Sequence, residues 1–234
     1  MLAVSKTEKK AFYSLGKTGT TTLISALPND KWYKTGELSA DFMTEIFPQP
    51  YLKWRNGYVN QYESLKTLYL NNYEITVIVR EPWKRYVSGI KEILQDYSQY
   101  LIRPEELFEI FEDEQRLVKI IDRMFYLSEF QRQKDFDFNK EFPYPSDFAL
   151  HHNYHTRNWL HELIDMQDNL IFLDSSDLTN HIKNNLNLQL IQNKNVSNPT
   201  HINLLENAIK STNIYFYIEE YLRSEIKLYN IFTR

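Results

Sequence analysis

The chain has no cysteine. That excludes disulfides, thiolate chemistry and cysteine-ligated metal centres. No apolar run approaches the roughly 18 residues that would span a bilayer, so no membrane partner is expected. Residues 1–10 are polar with no apolar core, so no secretory signal is expected either. Positive charge is not in excess: 27 Lys and Arg stand against 31 Asp and Glu, a net −4. There is then no global basic field for a nucleic-acid backbone, and any anion site must be local. These absences point to a soluble, cytoplasmic chain. Glycine is also scarce, five in 234 residues, which draws attention to the two that fall close together, Gly16 and Gly19.

Apolar residues make up 42% of the chain and aromatics 15%, enough for a sizeable core. No linker, internal repeat or low-complexity tract interrupts it, so one domain over residues 1–234 is expected.

Ala11 to Leu15 is a short apolar run that reads as a buried strand. Gly16-Lys17-Thr18-Gly19-Thr20-Thr21-Thr22 follows, and Leu23, Ile24, Ala26 and Leu27 then keep helical spacing up to Pro28. A loop that opens a helix presents unpaired N–H groups and the positive end of the helix dipole to phosphate or sulfate oxygens. Lys17 adds a charge, and Thr20, Thr21 and Thr22 add hydroxyl donors. A Walker A loop, G-x-x-x-x-G-K-S/T, is excluded by spacing: the position that needs its first glycine is Ala11, inside the strand. The other reading of the loop is an ordinary strand-to-helix turn with a surface lysine.

Ile75 to Val79 is a β-branched run suited to a central strand of a parallel sheet. It ends in Arg80-Glu81-Pro82-Trp83-Lys84-Arg85-Tyr86-Val87-Ser88. Pro82 suits the first turn of a helix, which would set Arg85 and Ser88 on one face. Arg80 would stand at the carboxyl end of the strand, where open α/β sheets bind ligands. An arginine there needs an anion, carbonyls or Glu81 to meet it.

Further along, Tyr51, Lys53, Trp54, Arg55 and Tyr58 form an aromatic and basic stretch, either a wall over a site or rings tucked into the core. His151, His152, His155 and His161 hold four of the six histidines. Without cysteine or a His-Glu-x-x-His pattern they read as general-base candidates or structural histidines rather than metal ligands. Asn169 to Asp174 is a further strand. Its terminal aspartate imitates a Walker B carboxylate, but Ser175-Ser176-Asp177 reads as the cap of a following helix. Helices are expected over 104–134, 203–210 and 214–232.

The two strand-loop-helix motifs together resemble the cofactor signature of sulfotransferases that use 3′-phosphoadenosine 5′-phosphosulfate (PAPS). Lys17-Thr18-Gly19-Thr20-Thr21 is similar to that family's 5′-phosphosulfate loop. Arg80 to Ser88 is similar to its 3′-phosphate motif, in a form closer to the carbohydrate (Golgi-type) enzymes. Weaker echoes are His155-Thr156-Arg157, Leu170 to Leu178, Asn195-Val196-Ser197 and the closing helix over 219–231. Gly16 stands where proline is frequent, and Thr22 where an aromatic is common.

The resemblance implies an α/β fold: a central parallel sheet flanked by helices with a P-loop-like, sulfotransferase-type nucleotide core. It implies PAPS as donor and PAP as product, with no metal. Gly16, Lys17, Thr18, Gly19, Thr20, Thr21 and Thr22 would bind the phosphosulfate, and Arg80 and Ser88 the 3′-phosphate. Lys17 would stabilise the leaving group, and His155 or His152, then Glu37 or Glu45, would serve as base. Tyr51, Lys53, Trp54, Arg55 and Arg157 would face an acceptor, most simply a glycan hydroxyl. The competing expectations are a P-loop kinase or other NTPase and a catalytically inactive PAP(S)-binding protein.

Overall fold

The computed structural model describes residues 2–14, 17–34, 61–101, 113–122, 160–189 and 199–234. They fall into two compact units. The first comprises Met1–Glu81, Trp159–Lys194 and Leu228–Arg234; the second comprises Pro82–Asn158 and Asn195–Lys227.

The first unit is α/β. Strands β1 (Leu2–Ser5), β2 (Lys10–Ser14), β3 (Trp32–Lys34), β4 (Glu74–Val79) and β5 (Leu170–Asp174) form one open sheet in the order β3-β1-β2-β4-β5. The expected parallel core is there: β4 pairs in parallel with β2 on one side and β5 on the other. The sheet as a whole is mixed rather than parallel, because β1 runs antiparallel to both β2 and β3. The reason is local. Only residues 6–9 separate β1 from β2, too few for a parallel crossover. Their turn is held by the Ser5 hydroxyl, which accepts the N–H groups of Thr7 at 3.3 Å and Glu8 at 3.1 Å. Leu2, Ala3 and Val4 are buried, so the N-terminal segment read as polar supplies a core strand.

Strand periodicity splits this core into two faces. Leu2, Val4, Ala11, Tyr13, Ile75, Val77, Val79 and Leu170 pack with Leu65 and Leu68 of α2 (Gln61–Leu70) and with Leu160, Leu163 and Met166 of a 3₁₀ helix (Leu160–Asn169). Phe172 and the end of the last helix join this face. On the other face Ala3, Phe12 and Ile78 meet Leu23, Ala26 and Leu27 at and just beyond α1 (Thr20–Ala26), and Leu178 and Ile182 of α5 (Leu178–Asn184).

The second unit is helical among its described residues. It holds α3 (Pro82–Leu101), α4 (residues 114–122), α6 (Pro199–Lys210) and most of α7 (Tyr215–Phe232). Tyr86, Val87, Ile90, Leu117, Ile121, Leu205, Ile209, Ile218 and Leu222 form its core. Across that unit Arg85 donates to Glu225, from Nε to Oε1 at 2.9 Å and from Nη2 to Oε2 at 2.8 Å. No helix among the described residues is long and apolar enough to cross a membrane.

Candidate functional site

The parallel register brings three strand ends level. Ser14 of β2 lies beside Ile78 of β4, and Val79 of β4 beside Asp174 of β5. Neighbouring strands run about 4.8 Å apart. The loop after β2, Arg80 after β4 and Asp174 closing β5 therefore share the carboxyl edge of the sheet.

The loop after β2 is tightly wound. Lys17 has φ 65° and Gly19 φ 92°, both left-handed. Gly19 is the N-cap of α1 and offers no side-chain cap. Glycine is needed there twice over, since a Cβ would also stand 2.9 Å from Leu178 Cδ2. The hydroxyl of Ser14 anchors the turn from within: it lies 2.9 Å from Thr18 Oγ1 and 2.7 Å from Thr20 Oγ1. Thr18 is wholly buried, so its hydroxyl serves the loop's interior. Thr21 is exposed, while Lys17, Thr20 and Thr22 are half-buried.

Arg80 joins the two motifs. Its Nη1 donates to the Lys17 carbonyl at 3.1 Å, across 63 positions of sequence. Burial lowers the pKa of the guanidinium, and the nearby Glu81 and Asp174 carboxylates act against that fall. Arg80 is thus a partly desolvated cation between a backbone carbonyl and two acidic neighbours.

Asp174 is held from two sides. Its Oδ1 accepts the Ser176 N–H at 2.7 Å, and its Oδ2 accepts the Tyr229 hydroxyl. Ser175 N–H adds a bond to the Val79 carbonyl at 2.7 Å. The expected cap of α5 differs in detail. Asp177 occupies the N-cap position but makes no side-chain cap bond; the turn is bound by Asp174 instead. Sequence reasoning singled out Asp174 and missed Tyr229, whose position on an amphipathic helix gives no local sign of a partner.

Of the predicted site residues, Lys17, Thr18, Gly19 and Thr20 cluster with Arg80. Ser88 lies half-buried in the second turn of α3, within the second unit. Arg85, expected on the same helix face as Ser88, is spent on Glu225. Gly16, Glu37, Glu45, Tyr51, Lys53, Trp54, Arg55, His152, His155 and Arg157 lie outside the described residues. Comparison with protein-family models, curated proteins and solved structures finds no match to this chain.

Proposed function

We propose that this chain is a PAPS-dependent sulfotransferase with a sulfotransferase-type nucleotide core, acting on a hydroxyl or amine acceptor, most simply a carbohydrate. The observation that carries the reading is the Arg80–Lys17 hydrogen bond. It links two motifs that resemble one family's two phosphate-binding motifs, at the carboxyl ends of adjacent parallel strands. The donor set suits a phosphate-rich ligand. Lys17 brings an ammonium, Gly19 opens a helix N-terminus, and Arg80 brings a planar fork that matches phosphate geometry.

Bound PAPS would supply the activated sulfuryl group. In this reading the loop at 17–20 orients the 5′ end, and Lys17 offsets negative charge as it develops there. Arg80 takes the 3′-phosphate that separates PAPS from ordinary adenylates. A base drawn from His155 or His152 would accept the acceptor's proton, and Tyr51, Lys53, Trp54, Arg55 and Arg157 would face the acceptor.

Thermal stabilisation tests the cofactor. At 100 times its dissociation constant, a ligand specific for the folded chain adds about 2.7 kcal/mol. PAP is expected to raise the melting temperature without metal, and ADP to do so far less. A shift with ATP and Mg²⁺ alone would overturn the reading in favour of an NTPase. Arg80→Ala separates two roles of the guanidinium. If it grips the 3′-phosphate, PAP affinity falls while ADP affinity holds. An equal loss of both would mean that Arg80 serves the Lys17 loop instead.

A further inference from the structure

The C-terminal helix reaches the same edge of the sheet. Phe232 of α7 stacks on Phe172 of β5, with ring centroids 4.2 Å apart and planes within 6°. Phe172 and Asp174 are two apart on one face of a strand, and Tyr229 and Phe232 are three apart on one face of a helix. The aromatic stack and the hydrogen bond from the Tyr229 hydroxyl to Asp174 Oδ2 thus join the same strand to the same helix. Val79, which pairs with Asp174, immediately precedes Arg80. A carboxylate this near a half-buried guanidinium is its natural partner, and an ion pair between them would compete with any anionic ligand for the arginine.

We propose that Tyr229 is a positioning residue: by engaging Asp174 together with the Ser176 N–H, it keeps that carboxylate from pairing with Arg80 and so leaves the guanidinium open to a phosphate-bearing ligand. The inference rests on the anion-binding reading of Arg80. Burial and the bond to Asp174 both push the Tyr229 pKa up, so the phenol stays a donor through the physiological range. The fit is chemical as well as geometric. A phenol donates a hydrogen bond to Asp174 without bringing a competing cation to the edge, as a lysine or arginine would.

The test removes one oxygen. Tyr229→Phe keeps the ring in its apolar surroundings but removes the hydroxyl that donates to Asp174 Oδ2. Asp174 is then expected to turn onto Arg80. If nine molecules in ten adopt that pair, the apparent affinity for PAP falls about tenfold, since affinity scales with the competent fraction. Adding Asp174→Asn to Tyr229→Phe removes the competing charge and is expected to restore affinity, which a purely structural role for Tyr229 would not produce. Unchanged PAP affinity in Tyr229→Phe, or a loss that Asp174→Asn fails to rescue, would overturn the proposal. Should wild-type protein not bind PAP at all, the sulfotransferase reading fails separately. The crystal structure of unliganded Tyr229→Phe still decides the positioning role: Asp174 within ion-pair distance of Arg80 supports it, and an unmoved Asp174 refutes it.

Discussion

Lys17 is strained as well as charged. A side chain in the left-handed region costs roughly 1–2 kcal/mol relative to the right-handed one, and Lys17 sits there at φ 65°. Glycine adopts that conformation freely and alanine does not. Lys17→Gly is therefore expected to be more stable than Lys17→Ala, by about 1 kcal/mol, in denaturant melts, although both lose the ammonium. Equal stabilities would show that the loop relaxes once the lysine is gone. Tyr86 makes a complementary case. Its hydroxyl is buried with no hydrogen-bond partner among the described residues, and burial pushes its pKa well up. Its ring stacks on Trp83 with centroids 6.2 Å apart. Deleting an unsatisfied buried hydroxyl removes a desolvation penalty of about 1–3 kcal/mol. Tyr86→Phe is accordingly expected to raise the melting temperature, and a lower one would reveal a partner for the hydroxyl in solution.

Among the elements, α3 and α7 are joined by the Arg85–Glu225 fork, both of whose side chains are 1% exposed. Two charges buried this deeply gain from each other little more than their desolvation costs, yet either one alone is expensive. Glu225→Gln is expected to cost about 3–5 kcal/mol. Replacing both, as Arg85→Met with Glu225→Leu, is expected to recover most of that loss. A double variant no more stable than the single would mean that the pair does more than neutralise itself. Much of the element plan was legible from spacing. Pro82 marks the start of α3, the β-branched run 75–79 is β4, and the helices expected over 203–210 and 214–232 appear as α6 and α7. What misled was the reading of residues 1–10 by overall polarity. Four polar residues at a turn, Lys6, Thr7, Glu8 and Lys9, mask the three apolar residues of β1.

For the whole molecule, acid stability carries a readable sign. His181 stands edge-on to Phe12, with ring centroids 6.0 Å apart, and burial lowers its pKa below the ordinary histidine value. The unfolded chain then binds a proton before the folded one does. Its contribution to stability is present above the ordinary pKa of about 6.5 and is lost as pH falls from there through the depressed folded value. Melting measured downward from neutral pH should show this loss, and His181→Phe should flatten the profile in that window. An unchanged slope would assign it to the carboxylates.

The sequence by itself determined the pieces that local chemistry controls. Two strand-loop-helix units, a glycine where the backbone turns left-handed and a proline opening a helix were all visible in short windows, because dihedral preference and hydrophobic period act over a few residues. Tertiary structure decided which of those pieces meet. Arg80 reaches Lys17 over 63 positions, Tyr229 reaches Asp174 over 55, and Arg85 finds Glu225 over 140. No spacing rule predicts such partners. They follow from strand register and helix packing, and burial then favours a partner for most of the charged and polar groups that the fold brings together.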